Sequence, residues 1–130
     1  MCIRDRWNGQ PFDGVLLDAP CTASGIVRRH PDVRWLRRES DIAQLGKAQQ
    51  QLLKALWPTL APGGRLLYCT CSVFKAEGQL QLDDFLRKNH DAQLLQAPGH
   101  LIPGDCWQIN DNVWRDTDGF FYALLSKLPA

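Results

Sequence analysis

Two cysteines stand just after short apolar runs in this sequence. Cys21 follows the run Val15–Leu17, and Cys71 follows the run Leu66–Tyr68. If both runs are parallel strands, their carboxyl ends meet at one edge of a sheet, where open α/β sheets bind their ligands. Thiolates are good nucleophiles, and Asp18 between the first run and Cys21 adds an acid. The spacing therefore predicts covalent catalysis by a thiol at that edge.

The cysteines admit other interpretations. Free cysteines are small apolar residues that pack in cores, which is the ordinary interpretation of any one of them alone. The count of five is odd, with no framework spacing and no secretory signal, which predicts a reducing, cytoplasmic setting. Cys69 and Cys71 resemble half of a metal site, but zinc needs four ligands and the three histidines form no second pair. We therefore predict no metal.

Size and charge set further bounds. A chain of 130 residues fits one domain, which we expect to be a monomer. Lys and Arg number 15 against 14 Asp and Glu, so no global field attracts polyanions, and any nucleic-acid site must be local. No apolar stretch approaches the roughly 20 residues of a membrane helix, which predicts no membrane partner.

The hydrophobic periodicity predicts alternating strands and helices. Residues 1–11 carry no periodicity and predict an unstructured or foreign start, followed by a partial catalytic domain over 12–130. Ser40 is a candidate cap for the first long helix, and Trp57 lies on its apolar face. Ala97–Asp118 reads as a long surface connection. The predicted elements are strands at Phe12–Asp18, Arg65–Cys71 and Phe120–Lys127, and helices from Ser40 to before Ala61 and from Glu77 to Lys88.

The alternation predicts half of a doubly wound α/β sheet. The unit that normally opens such a sheet carries a glycine-rich loop after its first strand, and no such loop precedes Phe12. Gly63-Gly64 does not replace it, because that pair leads into a strand instead of a helix.

Three segments resemble motifs of the RNA cytosine-5 methyltransferases of the Sun type, and most closely those that modify bacterial small-subunit rRNA. Asp18–Arg38 resembles the fourth motif of that family, and Tyr68–Val73 resembles its sixth. Asp118–Lys127 resembles the closing strand. Gly78 departs from the pattern, since asparagine is common there, and Cys69 stands where a small residue is usual.

The resemblance implies a fold and an activity. The fold is the C-terminal half of a Rossmann-like, S-adenosylmethionine-dependent methyltransferase domain, with a mostly parallel sheet and a closing antiparallel strand. The implied reaction transfers a methyl group to carbon 5 of a cytosine in small-subunit rRNA. Cys71 is then the nucleophile, Cys21 assists product release, and Asp18 lies near both the cytosine and the cofactor. Most of the cofactor-binding residues belong upstream of Phe12, so we expect the chain alone to be inactive.

Substrate contacts are also predicted. Pro20 is expected to shape the base pocket, and a basic loop that contains Arg28, Arg29 and His30 is expected to contact the RNA. The alternative for its arginines is a solvated face paired with acids nearby in the sequence, namely Asp32, Glu39 and Asp41. Trp35, Trp107 and Trp114 are candidates for base stacking, whereas Trp57 is assigned to the core.

The residues alone leave open which thiol attacks, because DNA cytosine-5 methyltransferases use a Pro-Cys cysteine, which corresponds here to Cys21. Their partner motif Glu-Asn-Val is absent, however, and Thr70-Cys71 is present. Two other functions also remain open. One is a catalytically inactive fragment with residual RNA binding. The other is a thiol-disulfide protein that uses Cys69 and Cys71, although C-x-C differs from the usual C-x-x-C spacing.

Overall fold

A four-stranded mixed sheet forms the centre of the protein. The computed structural model describes residues 7–109 and 111–129, and for Trp107, Ile109 and Trp114 it describes the backbone alone. The predicted base stacking by Trp107 and Trp114 therefore lies outside what the structure describes. The sheet contains β1 (Phe12–Asp18), β2 (Leu60–Thr70), β3 (Ala92–Leu101) and β6 (Phe120–Lys127), and β4 (Trp107–Ile109) pairs with β5 (Asn112–Trp114) in a hairpin. The helices are α1 (Val33–Leu36), α2 (Glu39–Leu56) and α3 (Gln79–Lys88).

Strand direction confirms the predicted fold class. The order across the sheet is β1-β2-β6-β3; β1 and β2 are parallel, and β6 is antiparallel to both of its neighbours. Three strands therefore run one way, and β6 runs the other way between β2 and β3. In the β1–β2 register Asp18 lies opposite Cys69, so both strands end at the same edge.

The core lies between the sheet and the two longer helices. Leu53 and Trp57 at the end of α2 are buried, and the rings of Tyr68 and Phe121 meet edge to face at 5.8 Å between centroids. Trp57 is 5% exposed, which confirms its assignment to the core. No helix in the described part of the chain is long and apolar enough to cross a membrane.

The start of α2 differs from the prediction. Arg38, not Ser40, is the N-cap residue, and its backbone N–H donates to Asp41 Oδ2 at 2.9 Å. A carboxylate in the first turn also stabilises the positive end of the helix dipole.

The interpretation of Ala97–Asp118 as a long connection was wrong. Residues 97–101 continue β3, an edge strand, and the hairpin β4–β5 occupies part of the remainder. Pro98 and Gly99 read as strand breakers, but the β3–β6 register shifts between Leu95 and Gly99, and an irregular edge strand tolerates both residue types.

The second predicted strand begins earlier than expected. β2 starts at Leu60 instead of Arg65, because Phe12 already pairs with Leu60 before the register shifts ahead of Gly14. The Gly63-Gly64 pair falls inside this irregular stretch, where extra backbone freedom suits a bulge.

Candidate active site

The two predicted thiols lie in contact. Cys21 is on the loop after β1, Cys71 directly follows β2, and their Sγ atoms are 3.3 Å apart. Asp18 is exposed at the end of β1, beside the same edge. The structure thus brings Cys21, Cys71 and Asp18 together at the carboxyl edge of the parallel strands, where ligands bind in open sheets.

Backbone hydrogen bonds hold the Cys21 loop against the sheet. The Ala19 N–H donates to Cys69 O at 3.0 Å, and the Gly25 N–H donates to Cys71 O at 2.9 Å. The Gly119 N–H, just before β6, donates to Gly25 O at 2.8 Å. A Cβ on Gly25 would lie 1.9 Å from Gly119 O, so only glycine allows this approach. The position of Cys21 therefore depends on both β2 and β6.

The thiol contact changes the acidity of both cysteines. The hydrogen bond with Cys71 lowers the pKa of Cys21 to about 7, against the opposing effect of burial. The same hydrogen bond, together with burial, raises the pKa of Cys71. Because a thiol stabilises a thiolate beside it, the pair loses its first proton easily and its second with difficulty. One negative charge is then shared by the two sulfurs.

This sharing predicts a thiolate signal at neutral pH. With Cys2 and Cys106 replaced by serine, ultraviolet titration is expected to show one thiolate appearing with a midpoint near pH 7, below the ordinary value of 9.0, because Cys71 stabilises the ionised Cys21. Cys71→Ala removes the donor and should move the midpoint back up, whereas Cys71→Ser keeps a hydroxyl donor and should move it less. A midpoint that is the same in all three proteins would contradict the shared proton.

Cys69 stands apart from this pair. Its Sγ lies 3.8 Å from Asp18 Oδ1, and burial together with the charge of Asp18 raises the pKa of Cys69 to about 11. Cys69 is therefore a protonated thiol at neutral pH. The thiol that contacts Cys71 is Cys21, which does not favour the Cys69–Cys71 redox pair considered from the sequence.

The predicted RNA-contacting arginines have acid partners. Arg28 Nη2 lies 2.9 Å from Asp118 Oδ1, and Arg29 Nε lies 2.7 Å from Asp118 Oδ2. Arg28 also pairs with Asp116 at 3.0 Å. The Asp118 side chain is 1% exposed, so these pairs tie the Cys21 loop to the segment before β6. The predicted pairing of these arginines with acids nearby in the sequence was wrong, because their partners, Asp116 and Asp118, come from a distant segment of the chain.

The other predicted substrate residues, Pro20 and His30, are exposed, and Pro20 directly precedes Cys21. The carbonyl oxygen of Pro20 accepts a hydrogen bond of 2.9 Å from Gln49 Nε2, which fixes the backbone next to Cys21.

A second group of arginines lies on and next to α1. Arg34, Arg37 and Arg38 are exposed, and none forms an ion pair with a described residue. Together with Phe74 they line a groove of about 410 Å³ that reaches Thr22, the residue after Cys21. Trp35, predicted as a stacking residue, is 82% exposed on the same helix.

Sequence reasoning missed a buried polar group behind the thiols. The Glu77 side chain is fully buried and accepts hydrogen bonds from Thr22, Gln49 and Ser72. The sequence showed Glu77 only as the start of a helix. The available signal was that Thr22 and Ser72, both short polar residues, each follow one of the two cysteines.

The described residues contain no cluster of three or more His, Cys, Asp or Glu side chains arranged to hold a metal ion.

The fold and the thiol pair are typical of an α/β methyltransferase domain, and comparison with known proteins agrees. The family model of the 16S rRNA methyltransferases RsmB/F matches residues 2–126. The chain therefore belongs to the 16S rRNA methyltransferase RsmB/F family.

Curated relatives are similar over nearly the whole chain. The ribosomal RNA small subunit methyltransferase B of Vibrio cholerae is 46% identical over 126 residues, and that of Erwinia tasmaniensis is 49% identical over 125 residues. Both alignments cover 93% of this chain but only 27% and 28% of the relatives, so the chain spans little more than a quarter of their length.

Solved structures have the same fold. NSun6 from Pyrococcus horikoshii, determined with SFG, superposes with a TM-score of 0.71 at 28% identity, over 94% of this chain and 32% of that one. A methyltransferase homologue from the same organism gives a TM-score of 0.69 at 29% identity, over 92% of this chain and 40% of that one.

Proposed function

We propose that this chain forms the substrate-facing part of an enzyme that transfers a methyl group from S-adenosylmethionine to carbon 5 of a cytosine in small-subunit rRNA. The observation that carries the proposal is the contact of 3.3 Å between Cys21 Sγ and Cys71 Sγ at the carboxyl edge of two parallel strands. Membership of the RsmB/F family supports the rRNA substrate.

The proposed role of Cys71 follows from cytosine chemistry. Carbon 5 of cytosine is a poor nucleophile until another nucleophile adds to carbon 6. Cys71 passes its proton to the Cys21 thiolate, with which it shares one negative charge, and the Cys71 thiolate formed in this way adds to carbon 6. The electron pair displaced from the ring double bond makes carbon 5 reactive toward the methyl group. The ring nitrogen takes up a proton from solvent as this electron pair is displaced, and the Asp18 carboxylate, at the same edge, favours the adduct by accepting a hydrogen bond from the protonated ring nitrogen or the amino group.

Cys21 serves the second half of the reaction. After methyl transfer, carbon 5 still carries its proton, and removal of that proton returns an electron pair to the ring and expels Cys71 from carbon 6. A thiolate in contact with Cys71 is close enough to take part in this step. Cys21 must first release to solvent the proton that it took from Cys71, so that it meets carbon 5 as a thiolate.

The cofactor contacts available on this chain are few. S-adenosylmethionine, when bound, supplies the methyl group. Asp18 offers an exposed carboxylate at the edge where ligands of such sheets lie, and it fits one contact near the methionine end of the cofactor. A structural neighbour determined with SFG, an analogue of S-adenosylmethionine, supports this cofactor.

The RNA is proposed to lie across the groove that Arg34, Arg37 and Arg38 line. These arginines have no acid partner among the described residues, so phosphates can pair with them without breaking an existing ion pair. Exposed Trp35 offers a ring on which a base can stack. The target cytosine must leave its stack, because Cys71 attacks carbon 6 from the face of the ring.

The two groups of arginines predict different mutant behaviour. Arg34→Ala combined with Arg38→Ala is expected to weaken RNA binding and to reduce the slope of log affinity against log salt by about 1.5, since two phosphate contacts are lost.

Arg28→Ala is expected to lower the melting temperature, because it leaves the buried Asp118 carboxylate with one partner fewer. The measurements are fluorescence anisotropy at several salt concentrations and thermal unfolding.

The reverse pattern would restore the assignment made from the sequence. An unchanged salt slope for the Arg34/Arg38 variant, with a reduced slope for an Arg28/Arg29 variant of normal stability, would place the phosphate contacts at Arg28 and Arg29.

The test of the proposed function uses a chimaera in which this chain replaces the aligned 126 residues of the Vibrio cholerae relative. We expect label from S-adenosylmethionine to appear as 5-methylcytosine in small-subunit rRNA. Methylation at another atom would contradict the cytosine-5 assignment. No methylation by the chimaera, when the intact relative is active in the same assay, would overturn the proposal and favour the alternative of a catalytically inactive fragment with residual RNA binding.

A further inference from the structure

A single buried carboxylate joins the two loops that carry the thiols. Glu77, in the short 3₁₀ turn Lys75–Glu77 before α3, is 0% exposed. Its Oε2 accepts hydrogen bonds from the hydroxyls of both Thr22, at 2.7 Å, and Ser72. Thr22 directly follows Cys21, and Ser72 directly follows Cys71. One oxygen atom thus connects the residue after each cysteine.

The other carboxylate oxygen strengthens the same connection. Glu77 Oε1 accepts a hydrogen bond of 2.9 Å from the backbone N–H of Thr22 and a longer one of 3.3 Å from Gln49 Nε2. The same Gln49 amide donates to the carbonyl oxygen of Pro20 at 2.9 Å. Two backbone groups on either side of Cys21 are therefore held by this network.

Glu77 is itself held rigidly. The hydroxyl of Tyr68, a fully buried residue of β2, donates to the Glu77 carbonyl oxygen at 2.9 Å. Ser72 Oγ also accepts the backbone N–H of Phe74 at 3.1 Å, which shapes the turn between Cys71 and Glu77. The carboxylate is anchored to the sheet and has little freedom to move.

The cost of this arrangement argues for a specific purpose. Burying a carboxylate removes it from water, and a packed apolar side chain of similar size is often as stabilising or more so. No Lys or Arg among the described residues forms an ion pair with Glu77. Its hydrogen bonds go instead to groups beside the two thiols.

We propose that Glu77 is a positioning residue that sets the distance between Cys21 Sγ and Cys71 Sγ by tying the residue after each cysteine to one carboxylate. The inference depends on the proposed function for its purpose, because the second thiol must lie next to the first during product release. Its geometry can be tested without cofactor or RNA.

The test measures chelation by phenylarsine oxide, which bonds one arsenic atom to two thiol sulfurs and releases water, and therefore requires two thiols in close contact. The protein is the full chain with Cys2, Cys69 and Cys106 replaced by serine, which leaves Cys21 and Cys71. We expect Glu77→Ala to weaken chelation about 10-fold, because it removes several hydrogen bonds to a charged group. Affinity is measured by competition with a small dithiol, at a temperature where circular dichroism shows a folded protein.

Two controls distinguish positioning from general stability. Glu77→Gln retains an oxygen that accepts the hydrogen bond from the Thr22 N–H. Its amide N–H groups can donate to the hydroxyl oxygens of Thr22 and Ser72, so this variant should recover most of the chelation. Glu39→Gln neutralises the other glutamate of the chain, which is exposed, and should change chelation by less than about twofold.

The proposal is wrong if Glu77→Ala is folded and chelates phenylarsine oxide as tightly as the parent. If Glu77→Ala does not fold, Thr22→Val and Ser72→Ala decide the question, since each removes one hydroxyl donor. Each is expected to weaken chelation about threefold, and no effect from either would also overturn the proposal. The methyl-transfer assay tests the proposed function separately, so an unchanged chelation affinity would overturn the role of Glu77 without affecting the proposed function.

Discussion

Replacing Cys71 with alanine is expected to lower methyl transfer by at least about 10⁴-fold, because the proposed reaction has no route to a reactive carbon 5 without a sulfur bonded to carbon 6. Alanine removes only the sulfur from a position just after β2. The Cys21 loop keeps its backbone hydrogen bond to the carbonyl oxygen of residue 71, so the fold should be retained.

The measurement is transfer of label from S-adenosylmethionine to small-subunit rRNA by the chimaera. Cys106→Ser is the matched control, since Cys106 is an exposed free thiol outside the Cys21–Cys71 pair, and it should leave the rate unchanged. An RNA-protein adduct of shifted mass in the Cys71→Ala protein would overturn this assignment, because another residue would then have attacked the base.

Replacing Cys21 with alanine is expected to produce a different defect. The Cys71 thiolate can still add and the methyl group can still transfer, but the base that removes the carbon 5 proton is lost. Turnover should fall by about 10²- to 10⁴-fold, the usual contribution of a positioned base, while an RNA-protein adduct accumulates. Denaturing gel electrophoresis with labelled RNA detects that adduct.

The contrast between the two variants separates two families of mechanism. If Cys21 were the nucleophile, as in the DNA cytosine-5 methyltransferases, Cys21→Ala would form no adduct and Cys71→Ala would retain activity. The double variant Cys21→Ala, Cys71→Ala serves as the control for adducts through other groups and should form none.

The part of the site that depends on strand ends was predictable from the sequence. Short apolar runs at Phe12–Asp18 and Phe120–Lys127 predicted β1 and β6, because such runs are a local signal of strands, although β1 lies at the edge of the sheet and Leu17 is the one buried residue in it. The parallel arrangement of β1 and β2 then required Cys21 and Cys71 to approach the same edge. Their contact of 3.3 Å depends on loop conformations that no periodicity encodes.

The residues that hold the loops were not predictable in the same way. Asp118 lies 90 positions from Arg28 along the chain, so their ion pair required the tertiary structure. Glu77 was hidden because a glutamate before a helix is ordinarily an exposed first-turn residue. β3 was missed because Pro98 and Gly99 break the local pattern, whereas an edge strand with a shifted register accepts them.

The central claim is that Cys71 forms a covalent bond to carbon 6 of the target cytosine. RNA with 5-fluorocytidine at the target tests it directly, because fluorine replaces the carbon 5 proton that a base must remove, and the adduct persists after methyl transfer. Peptide mass spectrometry of the trapped chimaera then identifies the attached residue. We expect RNA attached to the peptide that contains Cys71; attachment to Cys21, or no adduct in an active enzyme, would contradict the mechanism.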